Sequence, residues 1–340
     1  MTTPLVELKD LRVRFKTPRG TIQAVNGIDL SLAQGEVLGI LGESGSGKSV
    51  MLRSLLRLLP PRTTTIEGSV RVGGRDVLAM SPRALSAYRG DEVSMVFQEP
   101  MLALDPVFTI GDQIAEAILR HRSISKHDAY RRARDLLDLV QIPSAAERLK
   151  AYPHEMSGGM RQRAMIALAL SCEPRLLLAD EPTTALDATV QIQVLLLLRE
   201  LQRELDMAVI FVTHDVGVAV EISDRLAVMY AGRVVEEASV AVMMADPLHP
   251  YTTGLLQSTD RPEDYRTPLT TIAGSPPDLV NLGDGCAFAP RCDRAMDKCR
   301  AERPVTRTHR PGRTAACWDI RDAPDGGSLN NATSDEGVLI

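Results

Sequence analysis

The stretch "EVLGILGESGSGKSV", residues 36–50, joins a short apolar run to a glycine-rich turn and a Lys-Ser pair. Gly42, Gly47, Lys48 and Ser49 stand in the GxxxxGK[ST] arrangement, and the helical pattern "VMLRSLLRLL" follows at 50–59. Each residue type has a physical reason. Glycines let the backbone of Gly42, Glu43, Ser44, Gly45, Ser46 and Gly47 wrap closely around phosphate oxygens, while successive N–H groups and the helix start attract negative charge. Lys48 neutralises the β and γ phosphates of a nucleotide, and Ser49 can ligate Mg²⁺. The stretch predicts a nucleoside-triphosphate site at the end of a strand in an α/β fold.

A phosphate loop needs a metal-holding acid at the end of a neighbouring buried strand. "RLLLADE", residues 175–181, supplies Asp180 to hold Mg²⁺, through water, and Glu181 to orient and deprotonate an attacking water. Further strand patterns, "VSMVF" (93–97), "AVIFVT" (208–213) and "RLAVMY" (225–230), alternate with helical ones, a rhythm that predicts a mostly parallel sheet. Strand signals vanish between about 110 and 170, where patterns such as "DAYRRARDLLDLV" (128–140) predict an inserted helical subdomain.

The 340 residues allow one large domain plus an appendage. A net charge of -5 argues against a general polyanion binder, so no nucleic-acid partner is expected. The N-terminus lacks a signal-peptide pattern, and the longest apolar run, "VLLLL" at 194–198, is far short of the roughly 20 residues of a bilayer span. The expectation is a protein kept in the cytoplasm that serves a membrane, if at all, as a docked subunit.

"YPHEMSGGMRQRAMIALAL", residues 152–170, opens a second helix on Ser157, Gly158 and Gly159, another exposed anion site by its hydroxyl, N–H groups and dipole end. This stretch resembles the signature motif of the ATP-binding cassette (ABC) family. Gln98 after "VSMVF" resembles the Q-loop glutamine, Asp187 of "TALD" the D-loop aspartate, and His214 after "AVIFVT" the switch histidine. The resemblance covers roughly residues 5–240. It implies two cassettes closing head to tail, with ATP between the phosphate loop of one and the signature of the other. Ser157, Gly158, Gly159 and Asp187 would then face the partner's ATP. Lys48, Ser49 and Asp180 would bind phosphate and Mg²⁺, Glu181 would act as general base, Gln98 would sense metal and water, and His214 would touch the γ-phosphate. Phe15, ending "LRVRF", takes the place of the family's adenine-stacking aromatic. Met160 stands where the family's signature usually carries Gln, and a thioether donates no hydrogen bond.

Three segments point further. "FQEPMLALDPVFTIGDQI" (97–114), "DPLHPYTTGLL" (246–256) and "IAGSPPDL" (272–279) resemble the dipeptide, oligopeptide and nickel importer ATPases. That resemblance implies two permease subunits, a second ATPase (a heteromer being favoured), an external solute-binding protein, and a peripheral place on the cytoplasmic face of a bacterial-type membrane. Peptides are the expected cargo; nickel or another small solute, or a soluble non-transport ABC ATPase, are the alternatives. The expected organisation is an ATPase domain at 1–245, a proline-broken extension at 246–321 and a disordered polar tail at 322–340. The extension gathers Cys286, Cys292, Cys299 and Cys317, spaced C-x5-C-x6-C-x17-C. Disulfides are disfavoured in a reducing compartment, while four thiolates can close a zinc or iron–sulfur site. Close C-x2-4-C pairs are lacking, and some members of the resembled family carry a [4Fe–4S] cluster on this block. A cluster is therefore favoured over zinc and over unliganded thiols, with Phe288 and Trp318 to shelter it. Cys172 reads as a buried structural residue.

Overall fold

The computed structural model describes residues 3–184, 186–258 and 272–320. The expected tail at 322–340 lies outside them, as do Pro262 and Pro268. Along the chain come β1 (Val6–Thr17), β2 (Gly20–Leu32), β3 (Val37–Leu41), β4 (Thr64–Val72), β5 (Arg75–Asp76), β6 (Val93–Val96), β7 (Leu176–Asp180), β8 (Ala208–Val212), β9 (Arg225–Tyr230), β10 (Arg233–Ser239), β11 (Arg307–Arg310) and β12 (Arg313–Ala315).

The main sheet runs β11-β12-β10-β9-β3-β8-β7-β6. Its segment from β9 to β6 is parallel, and every residue of β3, β6, β7 and β8 is buried. Such strands read as unbroken apolar runs because helices or a second sheet cover both faces. All five strand patterns quoted from the sequence fall on strands of this sheet. The sheet is less parallel than expected, since β10, β12 and β11 add to it antiparallel. A second, antiparallel sheet, β2-β1-β4-β5, was not foreseen. Its inward residues, among them Leu8, Leu11, Val13, Ile28 and Val70, form one core with Leu38, Ile40, Leu52 and Ile210.

Between β6 and β7 the described chain is helical: Ile110–His121, Lys126–Leu139, Ala145–Arg148 and Gly158–Leu170. Thr109 and Ser125 cap the first two, accepting from the N–H groups of Asp112 and Asp128. Ile110, Ile114 and Ile118 share one face at helical spacing and join the core that continues into the sheet.

After β10 the chain returns to the sheet. Glu236 of β10 pairs with Ala315 of β12, and the buried Glu236 carboxylate accepts from the N–H groups of Leu248 (2.8 Å) and His249 (2.9 Å). Tyr230, Tyr251 and Phe288 pack ring to ring, 4.6–5.4 Å between centroids, so β9 and the extension share a core.

Candidate functional site

The phosphate loop turns directly off β3. Gly42 has φ +152°, and a Cβ there would lie 2.3 Å from the Met229 carbonyl oxygen; at Gly47, φ +101°, it would lie 2.2 Å from that of Ala24. Only glycine fits either position. The helix Lys48–Leu55 starts immediately after. Lys48 is buried, its Nζ donating to the carbonyls of Gly42 (2.6 Å) and Glu43 (3.1 Å). Burial pulls its pKa down, against the attraction of Glu181, Asp180 and Glu43.

The loop and the end of β7 meet. Ser49 Oγ donates to Asp180 Oδ1 at 2.7 Å, and Arg53 stands 3.8 Å from the other oxygen. Asp180 is 2% exposed; burial raises its pKa, opposed by the Ser49 hydrogen bond and by Arg53. A hydroxyl and a carboxylate oxygen side by side are a donor set that fits Mg²⁺.

Glu181, the next residue, has a left-handed backbone with φ +47°. A non-glycine residue held there is strained by about 1 kcal/mol. Its Oε2 accepts from Gln98 Nε2 (3.3 Å) and Thr184 Oγ1 (3.1 Å) and lies 3.1 Å from His214 Nδ1. Thus Gln98, Glu181 and His214, far apart in sequence, are brought to one carboxylate oxygen. Thr184 was not among the expected residues; only its place after "EPT" hinted at it.

These groups line one open cleft of about 700 Å³. Residues 43–50 line it, together with Gln98, Glu181, Thr184 and His214 and with Phe15, Ile22 and Leu279. Phe15, the expected adenine-stacking ring, is thus among the cleft-lining residues. Leu279, from the extension, was missed by the sequence reading; its carbonyl accepts from Gln23 N (3.0 Å), tying "SPPDL" to β2.

Among the cleft-lining residues are none of Ser157, Gly158, Gly159 or Asp187. Ser157 and Gly158 are exposed; Ser157 Oγ caps its helix by accepting from Met160 N (3.3 Å). Gly159 is pressed against the helix Ala188–Glu204, where a Cβ would meet Val190 at 2.7 Å. Asp187 caps that second helix, accepting from Val190 N (3.0 Å). The two helix starts lie beside each other, and Met160 packs its side chain into the helical core.

Cys286, Cys292, Cys299 and Cys317 line a second, smaller cavity with His249, Phe288 and Trp318. Burial pushes the thiols of Cys286 and Cys292 up and that of Cys317 up to about 11, opposed by hydrogen bonds from backbone groups of Phe288 and Ala289 to Cys286, Arg294 to Cys292 and Asp319 to Cys317. Among the described residues no three His, Cys, Asp or Glu side chains stand close enough for one metal ion. Neither the favoured cluster expectation nor the zinc alternative finds support in this geometry. Cys172 is buried, just past the end of its helix.

The ABC transporter family model matches residues 25–184, and the model for the oligopeptide/dipeptide transporter C-terminal region matches residues 235–299. Fold and site define an ATP-binding cassette ATPase. The chain is 46% identical to the oligopeptide transport ATP-binding protein OppD of Salmonella typhimurium, over 92% of this chain and 93% of that one. It is also 46% identical to the dipeptide transport ATP-binding protein DppD of Bacillus subtilis, over 92% and 94%. A dimeric cassette, MJ0796, solved in a post-hydrolysis state with ADP and Pi, superimposes with a TM-score of 0.62 at 30% identity, covering 69% of this chain and 98% of that one. The chain belongs to the family of oligopeptide and dipeptide transport ATP-binding proteins.

Proposed function

We propose that this ATPase is the energy-coupling subunit of a membrane importer for di- and oligopeptides, with each ATP held between its cassette and a facing one. The observation that carries the reading is the separation within one chain. Lys48, Ser49, Gln98, Glu181 and His214 converge on an open cleft, with Asp180 buried behind Ser49, while the anion-binding helix start at Ser157 faces solvent elsewhere. An exposed cap of Ser and Gly that its own cleft does not use is explained by a second protomer's phosphate. Ser157, Gly158, Gly159 and Asp187 are then the groups offered in trans.

In this reading the loop 42–47 and Lys48 receive the phosphates, and Phe15 stacks on the base. Ser49 and Asp180 hold Mg²⁺, which supplies charge neutralisation of the phosphate oxygens. Glu181 Oε2 takes the proton of the attacking water. Gln98, Thr184 and His214, already on that oxygen, orient it. Residues after Gln98 carry the apolar side chains Met101, Val107 and Phe108 on the surface, 42%, 69% and 52% exposed. That patch suits a permease helix, and a nucleotide-sensing glutamine at its root provides the coupling. No helix among the described residues is long and apolar enough to cross a membrane; the partners we infer are two permeases, a second and different ATPase, and an external binding protein, with this subunit on the cytoplasmic face of the membrane.

The extension, 246–321, is proposed to carry a [4Fe–4S] cluster on its four cysteines. What supports the reading is that all four sulfurs line one shared, aromatic-walled cavity with backbone hydrogen bonds to them, and thiolates are the donors such a group takes. The cluster would supply four bonds bracing a segment rich in turns. Anaerobically purified protein should be brown and hold iron; colourless, iron-free protein removes the proposal.

The transport reading is tested by purifying the assembly with its permeases and binding protein and measuring ATP hydrolysis. Stimulation by a mixture of di- and oligopeptides is expected. Stimulation by Ni²⁺ and not by peptides would select the alternative cargo.

A further inference from the structure

We propose that Arg291 is a positioning residue for the phosphate loop: by clamping Glu43 it neutralises that carboxylate and keeps it turned from the ground that nucleotide phosphates occupy. The inference rests on the nucleotide-site reading and extends it to the cysteine-bearing extension.

Arg291 sits next to Cys292, and its side chain is 5% exposed. A guanidinium has five N–H donors, and all five are used. Nε donates to Ala273 O (2.8 Å), Nη1 to Glu43 Oε2 (2.7 Å) and Tyr230 Oη (3.3 Å), and Nη2 to Glu43 Oε1 (2.9 Å) and Ile272 O (3.2 Å). The two bonds to Glu43 form a fork, the geometry that fixes orientation as well as distance. The side chain passes Gly274, where a Cβ would crowd Arg291 Cγ at 3.3 Å.

Glu43 in turn is held at every polar group. Its N–H donates to Tyr251 Oη (2.9 Å), also of the extension, and its carbonyl accepts from Ser46 N (3.2 Å) and Lys48 Nζ (3.1 Å). The extension therefore grips the second residue of the loop by side chain and backbone. Charge gives the grip its consequence. Glu43 lines the cleft, and a bare carboxylate there would repel a triphosphate. Paired to Arg291 it is neutralised and turned away from that role.

The test is ATP affinity of the full-length chain, read with a fluorescent ATP analogue and as KM in the assembled transporter. Arg291→Gln should weaken binding about tenfold with kcat nearly unchanged, because it frees one charged fork. Glu43→Gln combined with Arg291→Gln removes the liberated carboxylate and should restore affinity to within about threefold of wild type. Arg313→Gln, which breaks the Arg313–Asp246 pair elsewhere in the extension, should leave affinity unchanged. An unaltered Arg291→Gln, a double variant as weak as the single one, or an equal loss in Arg313→Gln would each overturn the proposal. Should Arg291→Gln fail to fold, Arg291→Lys keeps the charge without the fork and should still lose about threefold; unchanged affinity there overturns it too. Wild-type protein that bound no nucleotide would instead remove the underlying site reading.

Discussion

In the nucleotide cleft and at its edge, carboxylates are met by polar partners: Asp180 by Ser49 and Arg53, and Glu181 by Gln98 and Thr184. In the cysteine cavity nearby, Cys286, Cys292 and Cys317 lie among Phe288 and other apolar groups, and burial pushes their thiols up. One site is arranged to meet charge arriving with a ligand; the other is a cavity of low polarity lined by thiols. The difference teaches that the extension packs its thiols away from water, whereas the cleft keeps a strained backbone at its reactive carboxylate, the left-handed Glu181. Arg291, with Tyr251 and Leu279, ties the extension to the cleft.

The largest effect expected belongs to the cleft. Glu181→Gln keeps the shape and the acceptor but not the proton-accepting charge, and kcat should fall about a thousandfold with ATP affinity nearly unchanged. A turnover close to wild type in the assembled complex would remove Glu181 as the base and leave the cleft no different in kind from a binding pocket.

The next belongs to the extension and to acid. His249 is fully enclosed; its Nδ1 accepts from Tyr251 N (3.0 Å), and burial lowers its pKa from 6.5 to about 4. The sign follows from that depression. Above pH 6.5 the ring is neutral whether folded or unfolded, so its contribution is fully present; as pH falls from 6.5 towards 4 the unfolded chain binds the extra proton and stability drops, by about 3 kcal/mol in all. Glu236, whose pKa burial raises above 4.5, works in the opposite sense as pH falls through that raised value towards 4.5. Urea unfolding of wild type and His249→Gln at matched pH isolates the histidine, and the variant should show the smaller loss. Equal losses would mean that the extension is wetter than its packing indicates.

A smaller effect tests the aromatic residue of the cleft. Phe15→Ala should weaken ATP binding about tenfold, the loss of one base-stacking surface, and should weaken a triphosphate lacking a base hardly at all.

The same contrast explains what the sequence could disclose. The phosphate loop was legible because its glycines answer local demands: Gly42 and Gly47 need positive φ and have no room for a side chain, whatever lies far away. The strands at 176–180 and 208–212 were legible because burial on both faces leaves an unbroken apolar run. The antiparallel sheet was not, since β1 is irregular: its pairing slips between Leu8 and Leu11, which hides the period-2 signal. Nor were Arg291 and Leu279, which reach the cleft from the extension; Arg291 and Glu43 are 248 positions apart, and nothing in either neighbourhood announces the other. Four cysteines in a row of turns could be seen to gather, but not that their cavity shares the Phe288 ring with the core under β9.

The central claim is that ATP is shared across two cassettes, so the most direct measurement separates the two half-sites. In the assembled transporter, Ser157→Arg in this chain should leave nucleotide binding at its own phosphate loop unchanged and abolish hydrolysis at the facing subunit's loop. Loss of binding at this chain's own loop, with the facing site still turning over, would contradict the account.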